Sequence, residues 1–510
     1  VTVTRLAPFC NHRSSQNLRS AHSPCSSLRQ EFLLGGPVDD LLATSLGLFL
    51  DAFNEVHALA LQNLATMGSS LHANTRYPAI EVLDSGMPSI GKASIKSVAP
   101  PDYEYLLRKS GIFSGPLSQL SGRELPGVVA LTDFCKRNKL SWSREPGVWD
   151  DSFEVKLAVE RCVIHALFRY GGNAPSKLQT GLIIRPYWMA LFRDQLPLAI
   201  IVPVCLTHFE VARFRLDEST FITRISDPIQ LSRSMMVDFR GGTTEMVSNA
   251  ATHAFVATDW TVENTGSGGV HQALDTPGTD VFELIDQCFA SLRIATGIDT
   301  GYAQVLFRPR GWQFSGQWDL PALYGSGHRR YPNRFDAFGW LREDLPVVSG
   351  EQLREVRRVF GLIRSSSSNK IGIALKRLNA CLSRDDDVDA LLDAIIGLEV
   401  LLGDGGEAVS FKLKMRAAGL AKVAGGRFTA HAAFSEIGKL YGERSKIVHG
   451  HAGKPKSNSR DVGASSANLP THRKQAADYL RMILVVLMEH PRYLDPTKID
   501  TELLMGFSPE

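Results

Sequence analysis

Residues 387–402 read Asp-Val-Asp-Ala-Leu-Leu-Asp-Ala-Ile-Ile-Gly-Leu-Glu-Val-Leu-Leu. At 100° per residue, Val388, Leu391, Leu392, Ile395, Leu398 and Leu402 fall on one stripe, which predicts a packed helix. Glu399 falls near the middle of that stripe. In 434–449, Phe434, Ile437, Tyr441 and Val448 form a second stripe, with Arg444 on its edge. An unpaired charge among apolar neighbours costs several kcal/mol, so each of these needs a partner. Glu399 with Arg444 is the simplest pairing, and Arg416 is the competing cation.

Outward from this stretch, helical periodicity dominates from Gln352 onward. Segments at about 350–382, 387–403, 410–423, 432–449 and 472–490 predict an all-α bundle over 350–507. Pro491 stops the last segment, and 450–470 is a Gly-, Ser- and Asn-rich loop. Residues 37–345 predict a mixed, β-rich region. Within it, 38–67 is helical, and 280–295 is a helix between strands. The runs 181–185, 198–205, 221–225 and 253–257 read as strands. Residues 1–36 set Arg5, Arg13, Arg19 and Arg29 against Glu31 amid many serines, which predicts disorder. The expected fold class is α+β multidomain, a β-containing mixed region followed by a helical bundle.

A chain of 510 residues exceeds one ordinary domain of ~100–200. With 44% hydrophobic and 21% charged residues it is neither mainly disordered nor fibrous. Lys plus Arg number 56 and Asp plus Glu 53, so any RNA contact must come from local patches. No apolar run approaches the ~20 residues that span a bilayer, so no membrane partner is expected. The seven cysteines lie far apart without a CxxC pair, which indicates neither a zinc site nor a disulfide framework. A reducing cytoplasm is the expected compartment, with no metal and no cofactor.

The sharpest local signal is Tyr441-Gly-Glu-Arg-Ser-Lys-Ile-Val-His-Gly450, an R-x4-H pattern of Arg444 and His449 that closes a helix at a glycine. It follows Leu-Glu-Val-Leu-Leu at 398–402 and Arg-Ala-Ala at 416–418. In that order the three motifs resemble the Apea-like branch of the HEPN superfamily, over about residues 350–505. The resemblance implies a HEPN-type helical bundle and a metal-independent RNA endonuclease in phage defence or a toxin-like system. It also implies a homodimer with a composite cleft through the bundle. The implied catalytic residues are Arg444 and His449, supported by Ser445, Glu399 and Arg416. Many HEPN nucleases carry Asn, Asp or His after the motif arginine; here Ser445 stands there. The alternative is a non-catalytic HEPN module that binds RNA, a nucleotide or a protein partner. A purely structural dimerisation bundle is a further rival.

The residue types suit the chemistry. Attack of an RNA 2′-OH on its own phosphate needs a proton-transfer group near neutral pH, as histidine is, and a fixed cation on the phosphate, as arginine is. Five positions on a straight helix turn Arg444 and His449 about 140° apart, so local unwinding or a second copy must bring them together. Residues 482–488 are apolar nearly all round, for burial in the core or at such an interface. The plainer reading makes Arg444 half of an ion pair and His449 a helix-end residue favoured by the dipole.

Other signals are weaker. Arginines and aromatics interleave over 308–340, as a basic core edge or as a single-strand track. Arg161 and His165 form an R-x3-H pattern that reads as a surface pair. Gly266-Ser-Gly-Gly269 lacks the Lys-Ser/Thr of a P-loop and reads as a turn.

Overall fold

The computed structural model describes residues 3–5, 37–66, 81–82, 88–89, 125–144, 151–235, 247–249, 251–316, 318–332, 335, 346–448 and 468–506. The N-terminal part runs β1 (Val3–Arg5), α1 (Pro37–Thr66), β2 (Glu81–Val82), β3 (Pro88–Ser89), α2 (Pro126–Arg137), α3 (Asp151–Tyr170), α4 (Lys177–Phe192), β4 (Gln195–Val204), β5 (His208–Phe209), β6 (Arg213–Arg215), β7 (Thr220–Arg224), α5 (Asp227–Met235), β8 (His253–Glu263), α6 (Ser267–Asp275), α7 (Thr279–Thr296), β9 (Tyr302–Pro309), β10 (Tyr324–Arg330) and β11 (Val347–Val348). The C-terminal part is helical: α8 (Gly350–Ser365), α9 (Asn369–Ser383), α10 (Asp387–Leu402), α11 (Val409–Ala424), α12 (Ala430–Val448), α13 (Leu469–Glu489), then short turns to Leu504.

A seven-stranded antiparallel sheet, ordered β10-β9-β4-β8-β7-β6 with β1 on β8, organises the N-terminal part. Successive side chains in a strand point to opposite faces. Ile200, Val202, Phe255, Ala257 and Phe307 face a core built with α1, α3, α4, α6 and α7. The opposite face is covered by fewer of the described residues. There α5 lays Ile229 against Ile201, Ala254 and Leu306. The region is mixed, as expected, but among the described residues it holds more helix than strand, which corrects the β-rich reading.

Two helices differ from expectation. Residues 181–185 are not a strand but the middle of α4, which holds Pro186 and buries Ile183, Ile184, Tyr187 and Trp188. A capping box starts it: Ser176 Oγ accepts from Gln179 N, and Gln179 Oε1 accepts from Ser176 N. The expected segment 350–382 is two helices, broken at Ser366–Ser368, because serine hydroxyls compete for backbone groups.

The passage into the bundle is pinned. β11 pairs in parallel with β5, and Gly350 N donates to Glu210 Oε2 at 3.0 Å. α8 then works on both sides. Leu353, Val356 and Phe360 enter the sheet core, while Val359 and Ile363 enter the bundle core. Its neighbour α7 does the same, with Leu284, Ile285 and Phe289 in one core and Ala290 in the other. Ile483, Leu484 and Leu487 of α13 are fully buried inside this chain's own bundle, so the all-round apolar segment needs no second copy. Among the described residues no helix is long and apolar enough to cross a membrane.

Candidate functional site

α10 and α12 carry the two predicted charges. Asp386 caps α10 by accepting from Asp389 N at 2.8 Å. Buried Asp393 anchors its outer side through Arg377 at 2.7 Å and Arg384. Thr429 opens α12 by accepting from Ala432 N at 3.2 Å, and Tyr479 of α13 donates to Glu436 at 2.8 Å. α12 buries Ala433, Ile437 and Leu440. That stripe is rotated from the expected one: Phe434 and Tyr441 flank it, and Val448 is 52% exposed. α10 likewise buries Ala390, Leu391, Ala394, Ile395, Leu398 and Leu401, which puts Glu399 at the edge of the packed face rather than its middle.

Glu399 and Arg444 do meet. Arg444 Nη2 lies 3.6 Å from Glu399 Oε1, with side chains 27% and 23% exposed. The guanidinium also sits 5.6 Å from the Tyr441 ring centroid. The pair is half-buried, not sealed in the core as the helical wheel predicted, and its separation exceeds hydrogen-bond length. Among the described residues the Arg444 guanidinium makes no hydrogen bond. Among the described residues its donors are unspent, in the last turns of α12. Ser445 is half-buried beside it. His449 and Gly450 lie outside the described residues, one and two positions past the end of α12.

Arg416 behaves in the opposite way. Its side chain is 2% exposed and every arm is used. Nε and Nη2 grip Asp500 at 2.9 and 2.7 Å, Nη2 also donates to Asp404 at 2.8 Å, and Nη1 donates to the Leu402 carbonyl at 2.6 Å. Arg416 therefore does not compete for Glu399. It ties α11 to the end of α10 and to the C-terminal turns. Asp500, then Asp404, push the pKa of this guanidinium up, and Arg416 followed by Lys412 holds the Asp404 carboxyl well below the carboxylate range. Sequence reasoning missed both acids. Asp500 stands 84 positions from Arg416, and no local pattern links them.

The weaker signals resolve differently. Arg161 and His165 are not a surface pair. Arg161 donates to the Phe314 carbonyl and lines a cavity of about 380 Å3 with Trp142, Glu154, His271 and Phe314. Burial, helped by Arg169, lowers the pKa of His165 to about 4. Gly266 is the residue before α6, at φ +90°, where a Cβ would stand 1.6 Å from the Ser143 carbonyl oxygen. Trp312, Phe314, Tyr324 and Tyr331 are buried, so most aromatics of 308–332 are core residues. Arg334 and Trp340 lie outside the described residues. Among the described residues no group of His, Cys, Asp or Glu has the clustering that holds a metal ion. Comparison of the chain with protein-family models, with curated proteins and with solved structures gave no match.

Proposed function

We propose that the C-terminal bundle is a HEPN-type, metal-independent RNA endonuclease in which Arg444 binds the scissile phosphate and His449 transfers protons. One observation carries this reading: Arg444 is placed by a carboxylate and a ring at a helix end, yet keeps its hydrogen-bonding arms unspent among the described residues. An arginine kept for structure alone spends its donors, as Arg416 does. A planar fork held on one edge suits bidentate contact with a phosphate. Ser445 supplies a hydroxyl next to it. Pairing of two copies about a two-fold axis near the α12 ends would supply the second histidine that the ~140° offset calls for.

The test is cleavage of structured and unstructured RNA by the full chain in EDTA, with analysis of product ends. The expected products carry 2′,3′-cyclic phosphate and 5′-OH. His449→Ala abolishes cleavage with its melting curve unchanged. Arg444→Lys keeps the fold and cuts at least ~10-fold less, because a point charge does not reproduce the fork. Metal-dependent cleavage, 3′-OH products or full activity in His449→Ala refutes the assignment. RNA binding without turnover would leave the non-catalytic module in its place.

A further inference from the structure

The sheet face opposite the main core carries, among the described residues, a groove of about 750 Å3 lined by Ala199, Val256 and Thr258 and by Arg224, at the end of β7, Arg308 and Arg310. Strand register places Arg308 beside Ala199 on this face. On the same face, Arg213 of β6 and Phe221 of β7 extend the surface, with the Arg213 guanidinium 4.2 Å from the Phe221 ring centroid. Arg213, Arg224 and Arg308 are exposed. None of the three has a carboxylate partner among the described residues. The acids nearby are partly spent: Asp259 is paired with Arg5, and Asp217 accepts from Ser219 N and Thr220 N; Glu218 and Asp227 are exposed.

We infer that this face is a docking track for single-stranded RNA, with phosphates on Arg213, Arg224 and Arg308 and a base against Phe221. Four strand spacings, roughly 19 Å, separate β6 from β9 across the sheet, and register sets Arg213 level with Pro203 but Arg308 level with Ala199, so the outer arginines stand farther apart than that. No single phosphate or carboxylate bridges that distance, whereas an extended chain of phosphates does. A positively charged groove with an aromatic face and no acid among its described lining residues has the chemistry by which unpaired strands are held. The inference rests on the ribonuclease reading only in naming RNA.

The experiment uses the full chain and a labelled, uncleavable 2′-O-methyl strand of about 15 nucleotides, long enough to cover one such platform. Fluorescence anisotropy is read across a salt series. The combined variant Arg213→Ala/Arg224→Ala/Arg308→Ala is expected to bind at least ~10-fold more weakly, with the log–log salt slope flattened by about 2. The corresponding triple lysine variant is expected to keep most of the affinity, since a point charge still meets a phosphate. Absence of binding by the parent, unchanged binding by the triple alanine variant, or equal competition by polyglutamate or phosphatidylserine vesicles would overturn the track. Cleavage that fails while binding holds sinks only the nuclease. Binding that fails while a short RNA is still cut sinks only the track.

Discussion

The two arginines of the bundle make opposite predictions, and Arg416 gives the larger signal. Arg416→Ala strands the Leu402 carbonyl oxygen inside the fold, which costs about 1–3 kcal/mol. It also leaves Asp404 and Asp500 near each other without their shared cation. These carboxylates are 28% and 33% exposed, so water recovers part of the loss. The total is ~3–5 kcal/mol, as for other broken buried pairs. For a unit of this size that lowers the melting midpoint by roughly 10 °C. Glu399→Ala removes only a half-exposed contact at 3.6 Å and should cost no more than about 1 kcal/mol. The assay is far-UV circular dichroism on the full chain, with tryptophan emission recorded in parallel. Every tryptophan lies at or before position 340, so emission follows the N-terminal part and dichroism follows the whole. Equal midpoints for Arg416→Ala and Glu399→Ala would refute the distinction between a structural and an available arginine.

Three further outcomes follow from local geometry. Burial lowers the pKa of His253 to about 4, and its ring is locked neutral, with Nε2 donating to the Val211 carbonyl and Nδ1 accepting from Thr252. Between pH 4 and 6.5 the unfolded chain binds the extra proton, so stability falls by about 2 kcal/mol from pH 7 to pH 5; urea midpoints of the parent and His253→Gln should diverge across that window, and parallel curves would contradict it. Gly266→Ala forces a Cβ onto the Ser143 carbonyl at a left-handed φ and should lower the emission midpoint by the equivalent of more than ~2 kcal/mol, where an unchanged midpoint would show that the loop relaxes freely. Ser349→Ala removes the capping box of α8 and should cost about 1 kcal/mol in the same melts, against no change if β11 alone sets the start of the helix.

Sequence periodicity located α1, α7, β4, β7 and the later bundle helices to within a few residues, found the start of β8 but not its last six residues, and merged α8 with α9. It failed where the contrast between a wet and a dry side vanishes. The run Gly-Leu-Ile-Ile-Arg at 181–185 is apolar almost throughout, and short apolar runs do not tell helix from strand. The deciding signal was Ser176-Lys-Leu-Gln179, a capping box just ahead of the run. Glu399 and Arg444 were legible as partners, but their depth was not, because a wheel gives direction and not the position of neighbouring helices. Arg416 was legible as a charge facing inward; its acids come from a loop and from the chain's last turns, which only the folded chain brings together.

α7 and α8 press one side into the sheet core and the other into the bundle. A chain cut at the sequence-level boundary near 345–350 would leave Leu353, Val356 and Phe360 as a greasy ridge on the released bundle, and a trench under the sheet where they had lain. Neither fragment would be a faithful witness to the whole. The same seam ties the two parts together: α8, the first helix of the part that holds Arg444, shares both cores with α7.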